Sequence, residues 1–383
     1  MRRRALVSRR PLAVSPNQAL IASAVLAALA VSVPAQLQFE ELPRKGLPSA
    51  TSTSNAIAIG DLDGDGDLDL VFGNQGDCFP YFCLNGQNQL YLNDGTGTFQ
   101  DATITRLPVS SSPTNALAVG DVDGDGDLDL VSGNAGPSMH GENRLYLNDG
   151  SGTFSQASAV QLPIDQDRTV DLILVDLDND GDLDLVTGNA SQQQNRLYVN
   201  NGSGVFTDLT TTRLPTIGDT TLSLAAGDLN GDGHCDLVLA NQLQNRIYLN
   251  DGTGSFADAT LTNMPVDGQL TTTVAIGDVD SDGDLDIVFG NRRMGSNPDG
   301  QDRLYLNDGN GSFSDSTATH LPVYDDLTNT VTLGDLDGDG DLDLVVGNSG
   351  DCAPLGCYYH YQEQNDLAPV SRTRGLVRPD KSS

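Results

Sequence analysis

Six stretches of nine residues hold most of the chemistry this sequence can perform. The first, Asp61-Leu62-Asp63-Gly64-Asp65-Gly66-Asp67-Leu68-Asp69, places a carboxylate at every odd position. Carboxylates at positions one, three, five and nine can face a common point, and the backbone carbonyl of position seven can join them. Glycine at position six permits the sharp turn this needs. A hard cation that takes six to eight oxygens at about 2.3 to 2.6 Å suits such a set, with one water completing the lower count. Ca²⁺ fits better than Mg²⁺, which retains several of its waters. The pattern recurs at Asp121, Asp123, Asp125, Asp127 and Asp129, then at Asp176, Asp178, Asp180, Asp182 and Asp184. It returns at Asp278, Asp280, Asp282, Asp284 and Asp286 and at Asp335, Asp337, Asp339, Asp341 and Asp343. The fourth copy departs from it, with Asp228, Asn230, Asp232, His234 and Asp236. Asn still offers a carbonyl at position three and position seven acts through its backbone, so this copy reads as a weaker site.

Charge patterning supports metal over a merely solvated acidic surface. The chain has 53 Asp and Glu against 20 Lys and Arg, a formal net charge of -33, and the six loops alone hold 28 Asp. Without a cation, four carboxylates crowded together repel one another, so metal binding becomes part of folding stability. The same charge argues against nucleic acid, whose phosphates call for Lys and Arg. An EF-hand opens in the same way but needs a bidentate Glu at position twelve. Those positions are Phe72, Ser132, Thr187, Leu239, Phe289 and Val346, none of which can serve.

The loops start 60, 55, 52, 50 and 57 residues apart, a period that indicates repeats the size of a propeller blade. Each follows a short alternating run such as Ala56-Ile57-Ala58-Ile59 and leads into an apolar run such as Leu68 to Phe72, closed by Gly73-Asn74. Period-two alternation on both sides reads as strand, loop, strand. A third strand, for example Asn143 to Asn148, runs into Asp149-Gly150, a hairpin signal because glycine tolerates positive φ. A fourth run starts near Phe99, Phe154, Phe206, Phe256 and Phe313 and is predicted to end at Leu107-Pro108 and its equivalents. Four strands per unit predict an all-β fold: a β-propeller of four-stranded blades, six favoured and a truncated seventh the alternative. Leu37 to Leu42 reads as the missing strand of blade six, closing the ring and removing an exposed sheet edge. Tyr358 to Tyr361 is a poor third strand for that blade. The propeller is assigned to residues 36–361, and residues 362–383, rich in Arg, Lys and Pro, to a disordered tail.

Residues 1–35 read as a signal peptide: five early arginines, the apolar run Ala19 to Val33, and Val33-Pro34-Ala35 before Gln36. About 15 Ala-rich residues are short for a membrane span, which needs about 20. Ser8-Arg9-Arg10 is a weak twin-arginine signal, and either route exports the chain. Cys78 with Cys83 and Cys352 with Cys357 share one spacing inside matching segments, which predicts two local disulfides rather than a zinc knuckle. Cys235 takes a place held by Leu in the other five loops and reads as a small buried hydrophobe.

The acidic loops together with the recurrent Asn-Arg-Leu-Tyr-Leu-Asn-Asp-Gly resemble the FG-GAP and VCBS repeats of bacterial surface proteins and of integrin α-subunit propellers. The units are also similar to those of the cartilage acidic protein family. The resemblance covers nearly all of Gln36 to Asn348. It implies a propeller with Ca²⁺ held at positions one, three, five, seven and nine of each loop, about six ions in all. Integrin propellers have seven blades and fewer metal loops, and the extra C-terminal domain of the cartilage acidic protein relatives has no counterpart here. The expected function is a secreted, monomeric, non-catalytic binding or adhesion module for extracellular carbohydrate or protein, at the cell surface or in the periplasm. Its recognition candidates are the variable loops between strands two and three, notably Phe79, Tyr81 and Phe82 in Gln75 to Gln87. The alternative is a polysaccharide lyase or hydrolase on the same scaffold. Against it, His140, His234, His320 and His360 fall at unrelated places in their units.

Overall fold

The structure is a computed structural model that describes residues 47 and 53–349, except 80–81, 85, 111, 136–140, 294–299 and 324–326. It also describes the backbone of 352–353, 356–357 and 368–369. Residues 1–35, Leu37 to Leu42 and the side chains of Phe79, Tyr81, Phe82 and of Cys78, Cys83, Cys352 and Cys357 lie outside the described part. The backbone register nonetheless sets Cys78 opposite Cys83 and Cys352 opposite Cys357, each pair in a short antiparallel hairpin. No helix among the described residues is long and apolar enough to cross a membrane.

The fold is all-β, built from five four-stranded antiparallel sheets and a sixth of three strands. Unit one is typical: Ser54–Gly60, Asp69–Asn74, Gln89–Asn93 and Phe99–Asp101 pair in chain order. In the sixth unit, Thr328–Gly334 and Asp343–Asn348 are joined by Ala368–Pro369, which lies within the segment assigned to the tail yet pairs at the third-strand place. The fourth strands are shorter than the sequence pattern predicts. Each lasts three residues, and in four units a single helical turn, such as Thr103–Arg106 or Thr210–Arg213, follows before the Leu-Pro or, in unit four, the Met264-Pro265 pair. An aspartate at the strand end causes this: Asp101, Asp208, Asp258 and Asp315 each accept the N–H of the Thr two residues on at 3.0 Å. That local bond starts the turn. Unit two has Gln156 and Ser158 at those places and forms only an isolated turn, in which the Leu162 N–H donates to the Ser158 carbonyl at 3.1 Å.

Apolar cores lie between units rather than within them. One cluster joins Val71 and Leu90 of unit one to Leu117, Leu130 and Tyr146 of unit two, and four more repeat the arrangement along the chain. The packing is keyed by one large and one small residue. The glycine ending the first strand of a unit has no side chain because the position-eight leucine of the next unit's loop fills that space. A Cβ on Gly60 would lie 2.7 Å from Leu128, and one on Gly120 2.6 Å from Leu183. Unit three ends its first strand in Val175 instead, and the facing position eight is Cys235; both belong to one cluster. The exchange keeps the volume constant. Cys235 is thus the packing residue its position suggested, and burial pushes its thiol up to about 12, away from nucleophilic use.

Candidate metal centres

Each acidic loop joins the first strand of a unit to its second, and the second strand begins at position nine. In loop one, Asp61 accepts the Gly66 N–H at 3.0 Å, drawing position one onto position six, and Asp65 accepts the Asp67 N–H at 2.9 Å. The same closure recurs in the other loops, for example Asp121 to Gly126 and Asp228 to Gly233. Position-six glycines all take positive φ, between 87° and 101°. Position four is left-handed too. Four loops use glycine there, while Asn179 (61°) and Ser281 (62°) serve in loops three and five.

Position nine anchors the loop to its sheet. Asp184 is fully buried and uses one oxygen for the Leu177 N–H at 3.1 Å and the other for the Asn200 N–H at 2.8 Å. Asp69, Asp129, Asp236 and Asp286 repeat both bonds. Burial outweighs these amides: the carboxyl rises to about 7 at Asp184 and to about 6 at Asp129, Asp236 and Asp286. With its pKa above the unfolded value, each such group favours the metal-free fold below pH ~4 and withdraws that support as pH rises through its folded pKa. Burial, followed by the neighbouring position-five carboxylate, also raises Asp63, Asp123 and Asp280.

The remaining oxygens converge without partners. Asp61, Asp63 and Asp69 present ligand oxygens within 4.8 Å of one another, as do Asp121, Asp123 and Asp129, and Asp176, Asp178 and Asp184. In loops five and six the trios are Asp278, Asp280 and Asp282, and Asp335, Asp337 and Asp339. Inaccessible Oδ1 atoms of Asp61, Asp63, Asp123, Asp176, Asp178 and Asp280 have no hydrogen-bond partner. Unpaired carboxylate oxygens turned toward each other are costly unless a cation sits between them. These loops could hold a metal ion.

Two parts of the expected ligand set behave differently. Position-seven side chains turn away from the trio onto the strand three to four turn: Asp67 lies against Gly95, Asp127 against Gly150 and His234 against Gly252. Only the backbone of position seven is left to contribute. Loop four forms no acidic trio among the described residues. Its Asn230 amide donates to Asp232 at 2.9 Å, replacing repulsion with a hydrogen bond, and His234 pairs with Asn179 of the preceding loop at 2.9 Å.

Every loop from the first to the fourth is also clasped by the next unit. Asn148, at the end of the third strand of unit two, donates to the Leu62 carbonyl of loop one at 2.8 Å and to Leu128 of its own loop at 3.0 Å. Asn200, Asn250 and Asn307 do the same one unit further on each time. Turn glycines Gly152, Gly204, Gly254 and Gly311 abut position three of the preceding loop. Sequence reading treated these Asn-Asp-Gly segments as hairpin turns alone. Their fixed asparagine, one residue before each turn, was the available sign of a second task.

Profiles of the FG-GAP-like repeat match residues 76–132, 134–187, 176–239, 228–289 and 294–346, and the FG-GAP repeat matches 54–91 and 114–152. The chain belongs to the FG-GAP repeat family. No curated protein sequence matches this FG-GAP protein. Among solved structures it is similar to an Agrocybe aegerita lectin that recognises non-reducing terminal N-acetylglucosamine. That pair shares 19% identity over 77% of this chain and 75% of the lectin, with a TM-score of 0.49. The V. cholerae biofilm matrix protein Bap1 is 18% identical over 64% of this chain and 37% of its own, with a TM-score of 0.38. The Photorhabdus luminescens Tc holotoxin pore is 18% identical over 77% of this chain and 13% of its own, with a TM-score of 0.37. Likeness at these levels carries no information about ligand or activity.

Proposed function

We propose that the FG-GAP units close into a six-bladed β-propeller, that each acidic loop holds one Ca²⁺, and that the exported monomer is a non-catalytic binding module for extracellular carbohydrate or protein. The observation that carries the metal reading is the set of inaccessible, partnerless carboxylate oxygens repeated in the loops. An all-oxygen donor set with a contributing backbone carbonyl matches Ca²⁺.

Closure is supported by two complementary faces at the ends of the array. Leu68, the position-eight leucine of unit one, is exposed, while the glycine that should receive such a leucine on unit six, Gly334, meets nothing among the described residues. Among the described residues the Asn93 side-chain amide donates only to the Leu68 carbonyl of its own loop, and the turn glycine Gly97 touches no loop, whereas their counterparts in units two to five clasp the preceding unit. Leu37 to Leu42, supplying the outer strand of blade six, would fasten this junction. If the ring closes, Leu68→Ala destabilises by about 2–4 kcal/mol, as expected for a buried leucine. A change within about 0.5 kcal/mol in urea unfolding, typical of a surface site, would contradict closure.

A binding role rather than catalysis is supported by where the perturbed acids lie. The carboxyls that burial raises furthest are those of the position-nine Asp129, Asp184, Asp236 and Asp286, recurring in four units and each committed to two backbone amides. Catalysis calls for a constellation occurring once. The reading of residues 1–35 as a signal peptide supports a location outside the cell. A glycan array probed with the calcium-loaded chain, alongside incubation with acidic polysaccharides, tests the reading. Saturable binding without product release is expected; unsaturated or hydrolysed products would overturn it in favour of a lyase or hydrolase.

A further inference from the structure

Each unit carries a β-bulge near the start of its first strand, where the register against the second strand skips one residue. The skipped residues are Asn55, Asn115, Val170, Leu222, Thr272 and Asn329. A bulge removes its residue from the ladder and re-aims the side chain. In units one to four these side chains line a single cavity of about 440 Å³, within the size range of small-ligand sites. The bulges lie at the end of each first strand away from the acidic loop, so the cavity is distinct from the metal centres.

The lining is chemically unusual for this chain. None of the nine lining residues is Asp or Glu, in a sequence with 53 of them, and one is Arg168. The Arg168 side chain is exposed and makes no ion pair or hydrogen bond with a described residue, only its backbone being engaged. Other described arginines are occupied, most of them by aspartates. The nearby acids are also taken, Asp167 by Arg196 at 2.5 Å and Asp219 by Arg246. A guanidinium without a counter-ion in an acid-free cavity is set for a carboxylate, which it can bind through two parallel hydrogen bonds.

The rest of the wall selects among carboxylates. The side-chain amide of Gln242 bonds no described residue, and Asn55 and Asn115 form a chain, Asn55 donating to Asn115 at 3.2 Å and Asn115 to the Thr169 carbonyl at 2.8 Å. Val170 and Leu222 add a small apolar patch, and no aromatic ring is present. Amides and hydroxyls around one cation suit a polyhydroxylated acid carrying a single negative charge. Repulsion from a protein of net charge -33 disfavours polyanions. The loop supplying Ser191 holds two consecutive non-glycine residues, Ser191 and Gln192, at φ of 62° and 60°. Strain of this kind concentrates at ligand sites.

We propose that this cavity binds a carboxylated sugar, with Arg168 taking the carboxylate and Gln242 and the bulge asparagines taking hydroxyls. The proposal rests on the binding-module reading and locates its recognition in the regular frame instead of the variable loops. Titration calorimetry on the full calcium-loaded chain, with methyl glucuronide and methyl glucoside as probes, tests it. The glucuronide should bind and the uncharged glucoside at least about tenfold more weakly, the range of a charge-assisted hydrogen bond. Arg168→Gln, an exposed change, should erase that difference and leave the unfolding midpoint unchanged, while Gln242→Ala weakens both sugars alike. Equal binding of the two sugars, no binding of either, or an unaffected Arg168→Gln variant overturns the site. So does tighter, Arg168-dependent binding of a capped aspartate peptide, which would assign the cavity to protein. Array glycans still bound by Arg168→Gln overturn this cavity while leaving the module reading intact; an array with no bound glycan counts against that reading.

Discussion

Excess EGTA is expected to lower the thermal unfolding midpoint of the full chain by roughly 20 °C, by the following magnitudes. A site filled at a hundredfold excess over its dissociation constant contributes about 2.7 kcal/mol, so the five loops with acidic trios supply on the order of 13 kcal/mol. At about 2.1 cal/mol/K per residue over roughly 300 ordered residues, this corresponds to the stated shift. The loss should also depend on pH in a defined direction. The raised carboxyls of Asp129, Asp184, Asp236 and Asp286 bind protons more tightly in the fold than in the unfolded chain. Metal-free protein is therefore more stable at pH 5 than at pH 8, and the gap between calcium and EGTA widens as pH rises. Calorimetric scans with and without EGTA at the two pH values check both statements. A midpoint indifferent to the chelator would remove the metal from the account of folding.

Asp184→Ala and Asp63→Ala should each eliminate one metal site, yet differ sharply when no metal is present. Asp184 accepts two buried amides, from Leu177 and Asn200. Its removal leaves both donors unpaired, a cost of about 1–3 kcal/mol each, reduced by release of a buried carboxylate whose pKa stands at about 7. A loss of about 3 kcal/mol in EGTA is expected. Asp63 presents an inaccessible Oδ1 without a partner, and burial and Asp65 both raise its pKa. Asp63→Ala is accordingly neutral or slightly stabilising in EGTA and destabilising only in calcium. Urea unfolding of the two variants in both buffers separates anchor from ligand; equal losses in EGTA would show that position nine has no anchoring role.

Much of this architecture was legible because it repeats. One Asp-rich loop leaves a solvated turn open, but six in step with strand patterns give the unit, its period and its deviant fourth member, in which Asn230 donates to Asp232. What escaped sequence reading depends on contacts between units. Gly60 and Leu128 are 68 residues apart, and nothing local marks them as a packed pair. The joint departure of Val175 and Cys235 was the visible clue, since a larger residue appears where a smaller one faces it. The Leu-Pro pair marks the fourth strand as longer than it is, although Asp101 and Thr103 already encode a helical turn ahead of it. The bulged residues were hidden for a similar reason. Period-two alternation gives strand identity, and a one-residue register skip is fixed only when the partner strand is in place.

The acidic loops and the junctions between units are coupled by position. Asn148, Asn200, Asn250 and Asn307 reach from one unit to the position-two carbonyl of the loop before, so an ordered loop is also an ordered junction. Calcium at these loops would stabilise neighbours as well as the blade that carries it. The direct measurement is metal stoichiometry on the intact chain, by elemental analysis after calcium loading and gel filtration, with Asp63→Ala in parallel. The account predicts five firmly held Ca²⁺, a sixth in loop four that is lost more readily, and one fewer in the variant. A chain that folds fully and retains no calcium, or a variant with undiminished stoichiometry, would contradict it.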